Sequence, residues 1–380
     1  MKIRDIKTFL VGLEHRNLVF VKVVTDAGVE GIGEAYSVGP DEATTITIGH
    51  LKDWLIGSDP RNIEHLWNVM VQGLRFPGGS VVNAAISGIE LALWDVKARA
   101  LGVPVYELLG GKCRDKVRVY QSVAGPTPEA LASHARQLID RYGYTALKIF
   151  PFTADSDRRP WAAQVREAVA RLAAVREAVG EDIDIGVDPH AKIFEPARAI
   201  QLAQALRPYN PFFLEEPLRP DDIGAMAQVR REAGVPIATG EMLYGKGPFR
   251  DLLVQRSADI IQPDICIAGG MVECRKIAAM AEAFSLTVAP HNPIGPVATA
   301  INVHFAASIS NFLILEYIPD DAPPRRDLVK QPLAVKNGYI AVPTSPGWGV
   351  ELNEDTFDRY PPKPWHRDLP IRADGSTGFI

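Results

Sequence analysis

The sequence predicts an α/β protein: a parallel (β/α) barrel preceded by a smaller α+β domain and followed by a tail that rejoins that domain. Three observations carry this. Between residues 116 and about 325, short apolar runs alternate with amphipathic helical patterns, and eight strands joined by helices over that length close a barrel. Before residue 116 strand patterns come first and helical patterns second, the order of an α+β domain. Ionisable residues stand at the ends of the apolar runs at nearly even intervals. The expected boundaries are 1–115 for the capping domain, 116–325 for the barrel and 326–380 for the returning segment. An open parallel sheet is the alternative.

The first 36 residues read as a meander: IKTFLVGL and LVFVKVVT alternate, and Asp26-Ala27-Gly28 turns the chain into VEGIGEAY. DEATTITIGHLKDWLIG opens with acidic residues and closes on Gly57, as a helix does. NAAISGIELALWDVKARALG has a cap candidate in Asn83, a strong apolar face, and Gly102 after it. The barrel strands are KVRVYQSV, YTALKIF, DIDIGVD, PFFLEEP, PIATGE, DIIQPD, LTVAP and FLILEY. In the tail, Asn337-Gly338 between alternating segments marks a hairpin.

The balance of the chain excludes several classes. Its 380 residues are 47% hydrophobic and 23% charged, the mix of a globular protein with a large core. A net charge of −5 with no basic patch gives no reason to bind nucleic acid. No run of about 18 apolar residues spans a membrane. The N-terminal apolar run is interrupted by Asp5 and Lys7 and lacks a small-residue cleavage site, so a cytoplasmic protein is expected. The three cysteines fit neither a zinc pattern nor a disulfide framework; Cys266 and Cys274 read as buried spectators.

The polar strand ends carry the functional reading. They are Lys148, Asp188, Glu215, Glu241, Asp264, His291 and Glu316, and from Asp188 onward they stand 23 to 27 residues apart, one βα unit each. All face the C-terminal rim of a barrel, where catalytic groups gather. Asp188, Glu215 and Glu241 end three consecutive strands. Converging carboxylates repel unless a cation neutralises them, and oxygen ligands with open positions suit Mg²⁺, with Mn²⁺ as a substitute. One such carboxylate is explained as a helix cap; three in register are not. Asp264 beside His291 fixes a tautomer and makes a general base. His190, two residues past Asp188, is expected by strand alternation on the same face, opposite His291, as an acid. Glu316, ending the eighth strand, is expected to donate to a substrate carboxylate oxygen if protonated, or to bond a hydroxyl. Gly269-Gly270 before a helix has the form of a phosphate-binding turn, which a tight βα turn explains equally well.

The set Asp188, Glu215-Glu216-Pro217, Gly240-Glu241, Gln262-Pro263-Asp264, Ala289-Pro290-His291 and Glu316 resembles the mandelate racemase subgroup of the enolase superfamily. The likeness runs nearly end to end and is nearest to galactonate dehydratases and related acid-sugar dehydratases. It implies a (β/α)₇β TIM-like barrel, a capping domain built from both termini, one Mg²⁺ per subunit and a homo-oligomer, often a dimer or octamer. It implies Asp188, Glu215 and Glu241 as metal ligands, with Glu216 behind them. Asp264 and His291 become the catalytic dyad, His190 the acid for the leaving hydroxyl, and Glu316 the partner of the carboxylate or enolate oxygen. Relatives with Lys-x-Lys on the second strand use the last lysine as a base; here Phe150 stands there, which argues against a racemase of that kind. The implied reaction takes the proton alpha to the carboxylate of an aldonate such as galactonate or gluconate, or of a related acid sugar, and expels the 3-hydroxyl. Competing readings are an epimerase or racemase, a cycloisomerase, and a sugar-acid-binding protein. Substrate contacts are expected from Lys148 and from the cap: Arg16 and Asn17 near His15, Tyr36 with Ser37, the loop Arg75-Phe76-Pro77, and Trp365.

Overall fold

The computed structural model describes residues 1–76, 78–366 and 368–378. The chain opens with an antiparallel sheet of β1 (Ile3–Gly12), β2 (Asn17–Thr25) and β3 (Glu30–Ala35). Helices α1 (Asp41–Leu55), α2 (Ile63–Gln72), α3 (Ser80–Leu101) and the short α4 (Val105–Leu108) follow. The long helix α3 lies directly on β3. It comes that close because Gly31 and Gly33 have no side chain: a Cβ on either would collide with the α3 backbone. Asn83 is not the cap of α3. The helix starts one turn earlier, with left-handed Gly79 at its N-cap, and the Asn83 amide donates to the Gly79 carbonyl at 2.9 Å.

The barrel strands are β4 (Lys116–Val123), β5 (Ala146–Ile149), β6 (Asp184–Val187), β7 (Phe213–Glu215), β8 (Ile237–Thr239), β9 (Ile260–Ile261), β10 (Thr287–Val288) and β11 (Leu315–Glu316). Between them run α5 (Pro128–Tyr142), α6 (Trp161–Val179), α7 (Pro196–Leu206), α8 (Ile223–Ala233), α9 (Lys246–Val254), α10 (Gly270–Ala283) and α11 (Pro296–Ser308). Strands β4 to β10 pair in parallel in chain order. The ring closes where β11 pairs in parallel with β4 and Phe312 bridges to Val288 of β10. This is a (β/α)₇β barrel.

The tail divides its contacts. Strands β12 (Val335–Lys336) and β13 (Tyr339–Ala341) form the hairpin about Asn337-Gly338, and β13 pairs antiparallel with the start of β4, so this part joins the barrel. The return to the first domain comes after it. Trp348 is fully buried; its backbone N–H donates to Asp95 of α3 and its indole to the Ile32 carbonyl. Farther on, Gly12 N–H donates to the Tyr360 carbonyl. One apolar cluster crosses from Phe20 and Leu91 through Trp348 to Ile301 and Phe305, so cap and barrel share a core.

Candidate active site

Strands β5 to β11 each deliver one ionisable residue to the same end of the ring. The ammonium of Lys148, on β5, is almost wholly buried. It lies 2.7 Å from Glu215 Oε1, 3.0 Å from Glu316 Oε1 and 3.1 Å from Asp188 Oδ2. Burial opposes its charge, but Glu215, Glu316 and Asp188 outweigh it and hold its pKa well above the usual lysine value. Beside this group, His291 Nδ1 is 2.8 Å from Asp264 Oδ2, and Nε2 is 3.4 Å from Glu241 Oε2 and 3.9 Å from Glu316 Oε2. Burial disfavours the imidazolium, yet Glu241, Tyr36 and Asp264 together raise its pKa well above 6.5. The seven strand-end residues therefore form one connected cluster.

Asp264 is itself fixed, since its Oδ1 accepts from Cys266 N–H at 2.8 Å and its carbonyl from Ala268 N–H at 2.7 Å. Asn292, which the sequence reading passed over, ties His291 to the last strand. Its N–H donates to Glu316 Oε2 at 3.2 Å and its amide to the Glu316 carbonyl at 3.0 Å. Its only sequence signal is its place beside His291 between two prolines.

The surroundings of Glu316 favour its ionised form, an acceptor. Burial pushes its carboxyl up, but Lys148 and His291 more than offset this and hold it at about 2, so at neutral pH it only accepts. His190 shares a cavity with His291, but strand alternation is not what brings it there. Strand β6 ends at Val187 and alternation stops there. The Asp188 carboxylate accepts the His190 N–H at 2.7 Å, and His190 and Ala191 turn left-handed, with φ of 58° and 57°. That turn sends His190 into a cavity of about 280 Å³ lined also by Tyr36, Ser37, Ser80, Glu241, Met242, Tyr244, Ile267 and His291. A larger cleft of about 540 Å³, beside Trp161 and Arg198, touches none of the clustered groups.

The cap residues separate into two groups. Tyr36 lies over the catalytic rim, its ring 5.8 Å from that of His291. Arg16 reaches the barrel, donating to the Pro293 carbonyl at 3.3 Å. Asn17 and Trp365 do not line the cavity. The Asn17 amide donates to the Lys363 carbonyl at 2.9 Å and its oxygen accepts Lys363 N–H at 3.0 Å. The Trp365 indole donates to buried Asp41 at 2.7 Å, which also accepts from Ser37 at 3.1 Å. Both tie the tail to the cap, because their polar atoms find nearer partners there. Of Arg75-Phe76-Pro77, Phe76 is exposed and Pro77 lies outside the described residues. The Gly269-Gly270 turn is already filled: the Glu90 carboxylate of α3 accepts Met271 N–H at 2.8 Å and Val272 N–H at 3.0 Å.

Among the described residues, no three acidic, histidine or cysteine side chains are gathered in an arrangement that could hold a metal ion as they stand. Lys148 stands among Asp188 and Glu215, and Glu241 leans to His291. The donor set nevertheless suits a hard cation. Glu215 Oε2 and Glu241 Oε2 are buried without a hydrogen-bond partner. Burial, with crowding by Asp188, Glu316 and Glu241, pushes the Glu215 carboxyl well above its usual range in spite of Lys148. Glu216 rises to about 8 through burial and Glu241. The cluster is short of positive charge, and oxygen-only donors match Mg²⁺.

With fold and cluster in place, the comparisons are direct. Residues 2–110 match the mandelate racemase/muconate lactonizing enzyme N-terminal domain, and residues 130–356 the enolase C-terminal domain-like family. The chain therefore belongs to the mandelate racemase/muconate lactonizing enzyme family of the enolase superfamily. It is 36% identical to a D-galactonate dehydratase of Ralstonia nicotianae, over 94% of this chain and 95% of that one. A D-galactonate dehydratase of Variovorax paradoxus is also 36% identical, over 99% of each. Among solved structures, an enolase from Agrobacterium radiobacter, provisionally a galactarate dehydratase with Na and L-malate bound, superposes with a TM-score of 0.96. It is 40% identical and covers 100% of both chains. No helix among the described residues is long and apolar enough to cross a membrane.

Proposed function

We propose that this protein is a Mg²⁺-dependent dehydratase that converts an acid sugar to a 2-keto-3-deoxy acid. The observation that carries the reading is the 2.8 Å bond between Asp264 and His291 at the rim of a cavity that also holds His190. That the chain is a hydro-lyase follows from its family and its dehydratase relatives. The substrate is an aldonate such as galactonate or gluconate, or a related acid sugar, and the setting is a cytoplasmic homo-oligomer.

Asp264 accepts the Nδ1 proton of His291; a cation held by Glu241 would offset the charge that raises the imidazole, and in its neutral form Nε2 takes the proton from C2. The C2–H electron pair moves toward the carboxylate carbon. Were Asp188 and Glu215 engaged by a cation, Lys148, charged and held by Glu316, would have N–H groups to turn to a carboxylate oxygen. Asp188, Glu215 and Glu241 would hold the cation, which supplies Lewis-acid stabilisation of the negative charge on the carboxylate. As the C2=C3 double bond forms, the C3–O bond breaks and His190 gives its proton to the departing hydroxyl, releasing water. The enol then tautomerises to the 2-keto-3-deoxy acid. Screening mono- and diacid sugars for a 2-keto-3-deoxy product tests the proposal. NMR in D₂O separates loss of water from deuterium uptake with retained formula, and the latter outcome would replace the dehydratase by an epimerase.

A further inference from the structure

We propose that Glu34 and Glu90, two carboxylates of the capping domain, are positioning residues for the Asp264–His291 pair; this rests on the reading of that pair as the base. The strands that carry the pair are short, β9 and β10 being two residues long with two register pairs between them, so beyond the local bonds of Asp264 and Asn292 the turns after the strands matter for its placement. Those turns are held from the cap as well. After Asp264 the chain runs through Gly269-Gly270 into α10. There Tyr36 N–H donates to the Cys266 carbonyl at 3.1 Å, and Gly269 N–H to Ser87 Oγ at 3.0 Å. The Trp67 indole donates to the Gly269 carbonyl at 2.9 Å. The Glu90 carboxylate then closes the first turn of α10 through Met271 and Val272, and is itself steadied by the Trp94 indole at 2.7 Å.

The same device recurs after His291. The chain runs through Gly295 into α11, and Glu34 of β3 accepts Ala298 N–H at 2.8 Å. Gly270 and Gly295 make room for the two carboxylates: a Cβ on either would collide with the carboxylate it faces. A carboxyl oxygen at a helix N-terminus accepts from free N–H groups whether or not the group is ionised, and an ionised one also complements the helix dipole. Here each one comes from another domain and fixes the turn that places one member of a pair whose geometry must hold to tenths of an ångström.

The test uses the full-length protein loaded with Mg²⁺, with D-galactonate or galactarate, whichever the wild type dehydrates. Glu34→Ala and Glu90→Ala are expected to lower kcat about 10- to 100-fold with KM changed less than about threefold. Glu34→Gln and Glu90→Gln, whose amide oxygens still accept from the helix, should recover most of the loss. Because the effect acts through His291, either alanine variant combined with His291→Asn should lose little beyond His291→Asn alone. Crystal structures of the variants should show the Asp264–His291 contact lengthened beyond about 3.2 Å in the alanine forms and kept in the glutamine forms. Alanine variants that melt lower but keep wild-type kcat would overturn the proposal, as would losses that multiply with His291→Asn. Should the alanine forms fail to fold, glutamine variants with a broken Asp264–His291 contact would count against it and an intact contact for it. Unimpaired C2 exchange in His291→Asn alone would instead remove the base assignment on which it rests.

Discussion

Lys148 Nζ lies 2.7 Å from Glu215 Oε1 in a pocket that excludes solvent from both side chains. The same ammonium also bridges Asp188 and Glu316, so one cation serves three carboxylates. Removing one partner of a buried pair costs about 3–5 kcal/mol, because the other charges lose compensation. Lys148→Met should therefore melt well below wild type in EDTA and recover a larger share of its stability than wild type when Mg²⁺ is added. Thermal melts with and without Mg²⁺ check this; equal metal-induced shifts in both proteins would show that ammonium and metal do not compensate the same carboxylates.

Metal dependence should be complete. Chelation is expected to abolish dehydration and added Mg²⁺ to restore it. Glu241→Gln removes one of three compensating charges and a buried oxygen without a hydrogen-bond partner. Changes in groups behind metal ligands cost about 10- to 100-fold in affinity, so a ligand itself should cost at least that. Calorimetric titration with Mg²⁺ measures it; unchanged affinity in Glu241→Gln would remove that residue from the ligand set.

The two histidines should separate. His291→Asn is expected to lose both dehydration and exchange of the C2 proton with D₂O, by about 10²- to 10⁴-fold. His190→Asn should lose dehydration by a similar factor, and keeps exchange where the base returns its proton faster than product forms. Proton NMR in D₂O follows both reactions at once. Wild-type exchange in His291→Asn would make His190 the leading base.

Stability should fall as pH rises through neutrality. Burial raises the carboxyl of Glu34 to about 8 and that of Glu90 to about 7, against backbone hydrogen bonds that pull them down. A carboxyl raised on folding stabilises the native state fully below its unfolded value near 4.5, and that contribution is lost as pH climbs through the folded value. Buried His304, lowered to about 4, acts the other way, but its contribution is already complete above 6.5. From pH 6.5 to 8.5 the two glutamates thus impose a downward slope, at most about 1.4 kcal/mol per pH unit for each group. Urea denaturation across that range should show the slope in wild type and a shallower one in Glu34→Gln. Identical slopes in the two proteins would contradict the raised carboxyl.

The sequence by itself determined the barrel, the α+β cap and the rank of ionisable strand ends. Alternation between a two-residue and a 3.6-residue period is local, and one polar residue per βα unit marks a single rim whatever the details of packing. It also determined that Asp188, Glu215, Glu241, Asp264, His291 and Glu316 meet, since strand ends in one barrel have nowhere else to point. Tertiary structure decided who partners whom. Lys148 stands among the carboxylates, and Glu316 stays ionised because Lys148 and His291 flank it. His190 reaches the cavity through a left-handed turn rather than strand alternation. Asn17 and Trp365 were spent on the tail and Asp41, and the Gly269-Gly270 turn went to Glu90, 181 residues earlier than Met271. Each of these contacts joins groups distant in the chain, and its strength depends on burial and on competing charges that exist only once the two domains have closed on one another.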